Sequence, residues 1–238
     1  MRYGGATVLT VRHLSKTYRP ATHALRDVSF TLDAGCTLAV VGASGSGKST
    51  LARCLAGFER PTSGEIEVRG TIQLIFQQPA ASLNPRFTAA EIVEEPLLIQ
   101  RRPDRRARAI AAIEEVGLSA GDVEKPSRHF SGGEKQRLAI ARALVMDAKL
   151  MILDESLTGL DPNLQSQIAA LLRDLQSRLG LTYIMISHDL ALAAELATDI
   201  GVMHEGQMVE HGAASEILTR PQHPITRDLI AAAKALAV

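Results

Sequence analysis

Five short stretches of this chain carry side chains suited to phosphoryl chemistry. GASGSGKS, residues 42–49, fits G-x-x-x-x-G-K-[ST] in full. Glycines at this spacing let successive backbone N–H groups turn toward one point and hold phosphate oxygens, and a helix starting there adds its positive end. Lys48 is placed for the β- and γ-phosphates, and the Ser49 hydroxyl is a ligand of the kind Mg2+ takes. The nucleotide-contacting set is therefore Gly42, Ala43, Ser44, Gly45, Ser46, Gly47, Lys48 and Ser49, with Thr50 adjoining.

KLMILDES, residues 149–156, is an apolar run ending in two carboxylates. Asp154 can hold Mg2+ as a second acidic group beside the glycine loop. Glu155 points elsewhere and is placed to polarise a water in line with the γ-phosphate. Solvated acids closing a strand are common, so the pair takes its meaning from the loop. His188, in YIMISHD, closes another apolar run and is placed to contact the γ-phosphate and hold the attacking water. Gln77, in LIFQQP, ends a third, and its amide suits Mg2+ ligation or water orientation. The fifth stretch is FSGGEKQRLAIARAL, residues 130–144. There Ser131 and Glu134 make S-x-x-E ahead of an apolar-periodic helix, a capping-box pattern. Gly132 and Gly133 leave that helix end bare, which suits an anion, although the cap alone is an ordinary helix start.

The elements that must position these groups follow from periodicity. Residues 8–11 and 28–32 read as strands, and TLAVV at 37–41 as a strand buried on both faces. A helix is expected over 49–56, then two strands at 66–68 and 72–76. From about 89 to 144 apolar residues recur every three or four positions, with no convincing strand. Buried parallel strands at 150–153 and 183–186 flank an amphipathic helix at 163–179. A strand–turn–strand over 200–212 and a helix from about 225 follow. This predicts one α/β domain over 1–238, with a helical subdomain inserted at about 89–147.

Composition narrows the partners. The 238 residues carry 26 Lys+Arg and 26 Asp+Glu, so no basic excess points to nucleic acid. Cys36 and Cys54 are the two cysteines and have no metal-type spacing, which suits a reducing compartment. The N-terminus lacks the apolar stretch of a signal peptide, and no run approaches the roughly 18–20 apolar residues of a membrane span. A cytoplasmic protein is expected, linked to any membrane through a partner.

Taken together and in order, GASGSGKS, FSGGEKQ, LMILDES and ISHD resemble an ATP-binding cassette (ABC) ATPase over essentially the whole chain. The resemblance implies a P-loop NTPase core with an antiparallel β-subdomain and an α-helical subdomain, and ATP and Mg2+ as cofactors. It implies a head-to-tail dimer closing over two ATP molecules, in which Ser131, Gly132 and Gly133 of one chain contact the γ-phosphate held by the other. By the same resemblance Tyr18 stacks on adenine, Asp161 lies at the dimer seam, Gln77 links nucleotide to a membrane partner, Glu155 is the catalytic base and His188 the switch. Phe130 and Glu134 stand where Leu and Gln are commonest, and Ser156 and Leu157 replace Pro-Thr.

QPAASLNPRFTAAEIVEEPLLI and the tail RPQHPITRDLIAA are similar to the oligopeptide/dipeptide/nickel branch of importer ATPases. That similarity implies a motor subunit for uptake of peptides, nickel or a metal chelate. It pairs with a second ABC ATPase (a paralogue or itself) beneath two transmembrane permeases on the cytoplasmic face of the inner membrane. An extracytoplasmic solute-binding protein acts indirectly. With no cysteine after Cys54, the C-terminal iron–sulfur cluster of some members is not expected. The alternatives are a non-transport ATPase subunit of a soluble assembly complex and a small-molecule P-loop kinase, the latter opposed by SGGEKQ and His188. Arg101 to Ala109 reads as the solvated face of a helix.

Overall fold

The computed structural model describes residues 6–77, 79–157 and 159–236. Residues 1–5, with which the leader reading began, lie outside it. Two sheets organise the chain. The smaller has three antiparallel strands in the order β2-β1-β4: β1 (Thr7–Tyr18), β2 (Thr22–Asp33) and β4 (Ser63–Val68). The sequence pattern gave β1 and β2 only four and five residues, yet each runs for 12. Bulges explain the difference. His13 and Asp27 sit at φ 50° and 55°, and the pairing register shifts between Val11 and Leu14. Each bulge interrupts the two-residue alternation that reveals a strand, while Nδ1 of His13 meets Oδ1 of Asp27 at 2.7 Å across the pair.

The larger sheet has six strands in the order β5-β6-β7-β3-β8-β9. These are β3 (Thr37–Val41), β5 (Thr71–Ile75), β6 (Ala148–Asp154), β7 (Thr182–Ile186), β8 (Asp199–His204) and β9 (Gln207–Ala213). All neighbours are parallel except β8 and β9. Every residue of β3 and β7 is buried, because the sheet is covered on both faces. Leu38, Val40, Leu150, Ile152, Ile184 and Ile186 face the smaller sheet and helix α1 (Lys48–Leu55). Ala39, Val41, Met151, Leu153 and Met185 face the other helices. Truncating a fully buried residue such as Leu38 or Leu150 to Ala costs about 2–5 kcal/mol. The strands expected at 66–68 and 72–76 part company: β4 joins the antiparallel sheet and β5 crosses over to pair with β6.

Between β5 and β6 the chain builds α2 (Ala89–Ile99), α3 (Arg105–Glu115) and α4 (Gly132–Leu144), packed on one another. Thr88 opens α2 with a capping box completed by Glu91. The arginine-rich stretch is not one solvated helix face. Helix α3 starts only at Arg105, Arg106 pairs with Glu94 and Glu124, and Arg108 donates to the Val145 carbonyl at 2.8 Å and to Asp147 at 2.6 Å. Helix α5 (Pro162–Leu179) buries Ile168, Ala169, Leu172 and Leu175, a helical stripe, and stops at Gly180 with φ 64°. The Tyr183 hydroxyl donates to the Leu172 carbonyl at 3.0 Å and pins α5 to the sheet. Helices α6 (Leu190–Leu196), α7 (Ala214–Thr219) and α8 (Pro224–Leu236) complete the chain. Among the described residues no helix is long and apolar enough to cross a membrane.

Candidate active site

The glycine loop joins the end of β3 to the start of α1, at the centre of the parallel sheet. Two glycines are required by crowding. A Cβ on Gly42 (φ 152°) would lie 2.2 Å from the Met203 carbonyl oxygen, and one on Gly47 (φ 104°) 2.3 Å from that of Ala24. Gly45, at φ 78°, meets nothing within 4 Å. The loop is therefore walled by β8 and β2 and open at Gly45. Ser46 fastens it: its N–H donates to the Ala43 carbonyl at 3.2 Å, and its carbonyl accepts the Gly206 N–H at 3.0 Å. This is a cradle for an anionic ligand, with exposed backbone at Ala43, Ser44 and Gly45.

Lys48 is buried, and its ammonium donates to the Gly42 and Ala43 carbonyls at 2.8 and 2.9 Å. Burial pushes its pKa down, against the opposing pull of Glu155 and Asp154. Asp154 ends β6, and burial pushes its pKa up. The Ser49 hydroxyl donates to Asp154 Oδ1 at 3.2 Å. A phosphate chain against Lys48 and a cation against Asp154 would oppose both shifts. A hydroxyl and a carboxylate side by side next to a phosphate cradle are hard oxygen donors of the kind Mg2+ takes, so these residues fit that ion.

Glu155 departs from Asp154 because its own backbone sits at φ 49°, a conformation that costs a non-glycine residue about 1–3 kcal/mol. Its N–H donates to the Ile186 carbonyl at 3.0 Å, which holds it against the end of β7. Its carboxylate then meets Gln77 Nε2 at 3.3 Å and His188 Nδ1 at 3.8 Å. Gln77 lies two residues beyond β5 and contacts Glu155 rather than the Ser49–Asp154 pair. Three residues from three strand ends thus converge at the Glu155 carboxylate.

Ser131 is the N-cap of α4. Its Oγ accepts the Glu134 N–H at 3.3 Å and its N–H donates to Glu134 Oε2 at 2.7 Å, which holds the Glu134 carboxyl below its ordinary range. The two glycines differ. Gly132 meets nothing within 4 Å, whereas a Cβ on Gly133 would lie 2.7 Å from Leu164 Cδ1. The bare helix end expected at both is present at Gly132 and covered at Gly133. Asp161 caps α5, accepting the Leu164 N–H at 2.9 Å. Among the described residues no hydrogen bond or ion pair joins Ser131, Gly132 or Gly133 to the loop at 42–50.

Tyr18 is half-buried beside α1. Its hydroxyl bonds Glu59 and interacts with Thr50, Lys16 Nζ lies 5.0 Å from its ring centroid, and burial followed by Glu59 raises its pKa. One ring face is therefore shared with a cation. Sequence reasoning missed Gln136. This side chain is 2% exposed, and its Nε2 donates to the Ser156 carbonyl at 3.0 Å. The signal was present: Gln136, Ile140 and Ala143 share one face of α4, so a polar residue lies on the stripe that must be buried.

The family model described as "ABC transporter" matches residues 25–158. The dipeptide transport ATP-binding protein DppF of Haemophilus influenzae is 42% identical over 228 residues, covering 88% of this chain and 70% of that protein. The SapF protein of Escherichia coli, named as a putrescine export system ATP-binding protein, is 38% identical over 94% of this chain and 93% of its own length. Among solved structures, a dimeric post-hydrolysis state of the ATP-binding cassette MJ0796 bound to ADP and phosphate superposes with a TM-score of 0.74. It is 28% identical and covers 87% of this chain and 98% of its own.

Proposed function

The chain belongs to the ABC transporter family and is an ATP-hydrolysing subunit of it; from that premise we propose that it drives peptide import across the inner membrane. The dipeptide relative supports peptides over nickel or a metal chelate. SapF bears a different cargo and the opposite direction in its name, as expected if the membrane subunits set both. The assembly-subunit alternative is not favoured, because these relatives are transport proteins. We read residues 1–238 as one domain, with the helical subdomain at about 89–147. The partners are a second cassette (a copy or a paralogue), two permeases and, indirectly, an extracytoplasmic solute-binding protein.

In this reading the exposed loop N–H groups bind the phosphates and Lys48 moves from the loop carbonyls to the β- and γ-oxygens. Ser49 and Asp154 would hold Mg2+, and Gln77 could offer its amide oxygen as a further ligand. When bound, the ion would supply positive charge against the charge that develops in phosphoryl transfer. Glu155 accepts the proton of the attacking water, and His188 holds that water and the γ-phosphate. Tyr18 carries the adenine on its free face, while Asp161 lies at the seam. Most of the rate comes from positioning and charge stabilisation.

The observation that carries the proposal is the open end of α4: a Cβ on Gly132 would meet nothing within 4 Å, and among the described residues no hydrogen bond or ion pair joins Ser131, Gly132 or Gly133 to the chain's own phosphate loop. Ser131 and Gly132 therefore act on the nucleotide of a neighbour. ATPase rate per chain, measured across a dilution series, tests this. It falls steeply on dilution if two chains build each site; a rate independent of concentration in a verified monomer sinks the proposal.

A further inference from the structure

We propose that Gln136 is a positioning residue that fastens the helix end serving the neighbour's nucleotide to the base serving the chain's own. The inference rests on the roles proposed for Ser131 and Glu155 and adds what connects them. Gln136 lies one turn into α4, behind Ser131, and among the described residues makes no hydrogen bond to the phosphate cradle. Its amide is buried and donates to the carbonyl of Ser156 at 3.0 Å. Ser156 follows Glu155 directly, so the bond lands one peptide from the base. On the other side of the base, the peptide that enters Glu155 is held by the Glu155 N–H to Ile186 carbonyl bond of 3.0 Å.

A second fastening runs parallel to the first. Leu164 covers Gly133 in the first turn of α4, and the Leu164 N–H is capped by Asp161 at the far end of the segment that starts at Glu155. The start of α4 and both ends of the 155–161 segment are therefore linked. Because Glu155 holds a left-handed backbone conformation, its carboxylate direction depends on what restrains the neighbouring peptide. A shift of α4 on meeting the neighbour's phosphate pulls on the Ser156 carbonyl and so reorients Glu155. Occupancy of one site sets the base of the other.

Gln136→Leu, which keeps bulk and removes the amide, tests this on the full chain beside the wild type. ATP affinity of the dilute chain, KM, kcat and the Hill coefficient for ATP are measured. The expected result is affinity and KM within about twofold and kcat lower by about 5- to 150-fold, the range for a buried acceptor that loses its donor. The Hill coefficient falls from above 1 to 1. Gln136→Glu supplies the conservative rescue. Its protonated carboxyl can donate and its ionised form cannot, so kcat recovers toward wild type as pH falls from 8 to 6, while Gln136→Leu gains nothing. If Gln136→Leu does not fold, the pH dependence of Gln136→Glu decides. Wild-type kcat and cooperativity in Gln136→Leu, equal losses of kcat and ATP affinity, or no pH rescue in Gln136→Glu each overturn the inference. Absence of cooperativity in the wild type overturns the two-chain reading itself, and this inference with it.

Discussion

Oε1 of Glu155 lies 3.8 Å from Nδ1 of His188, although the two residues leave different strands of the sheet. With Gln77 on the other carboxylate oxygen at 3.3 Å, the acid is held between an amide and an imidazole. Glu155→Gln keeps the shape and removes the proton acceptor. ATP still binds, turnover falls by about 10²–10⁴-fold, and nucleotide-bound dimer accumulates on gel filtration. Wild-type turnover in this variant shows that the proton goes elsewhere.

The open end of α4 separates stability from catalysis. An acid at a helix N-terminus is stabilising by about 0.3–1 kcal/mol, and Gly132 has free space around it. Gly132→Asp therefore melts at or above the wild-type temperature. A phosphate approaching the same helix end meets a like charge, so ATPase activity falls by at least about tenfold while ATP affinity of the dilute chain is unchanged. A parallel loss of affinity places the effect within one chain and contradicts the two-chain site.

The cradle glycines differ in kind. Gly42→Ala drives a methyl to 2.2 Å from the Met203 carbonyl, so the loop and β8 must separate. Soluble protein is reduced, or the melting temperature drops by an amount equivalent to about 3 kcal/mol or more, and nucleotide binding is lost. Gly45→Ala meets no neighbour and carries only the left-handed backbone penalty of about 1–2 kcal/mol. Equal stability of the two variants would show that the β8 wall is not as close as described.

Legibility followed how local each feature is. GASGSGKS could be read outright, because its function lies in contiguous backbone and its flanks are an apolar run and a helix. Asp154 and Glu155 gained meaning only from that loop, and their divergence needed the φ of 49° at Glu155, which sequence does not display. The bulges at His13 and Asp27 hid more than half of β1 and β2 by breaking alternation. The crowding of Leu164 against Gly133 depends on how α5 lies against α4, a tertiary relationship with no local signature.

Acid should loosen the C-terminal helix. Burial pushes the Glu210 carboxyl up, but the N–H groups of Gln222 and His223, donating at 2.7 and 3.0 Å, outweigh it and leave the pKa below its ordinary range. A depressed carboxyl stabilises the folded state above the unfolded value, about 4.3, and that contribution disappears as pH falls through the folded value. Glu210→Ala at pH 7 costs about 1–2 kcal/mol for this half-buried group and speeds hydrogen exchange in α8. In Glu210→Gln the step in stability below pH 4.3 is reduced. An unchanged acid profile in that variant assigns the step to other carboxylates.

Gly42 is walled by Met203, Ser46 is bonded to Gly206, and β3 is paired with β7 and β8. The groups that meet at one small loop thus come from widely separated parts of the chain. A nascent chain with its glycine loop already clear of the ribosome has the β2 wall at Ala24 but not the β8 wall at Met203 until the later strands emerge. The completed cradle therefore arrives late in synthesis, and a fragment ending before β8 lacks the Met203 and Gly206 contacts that close one side of it.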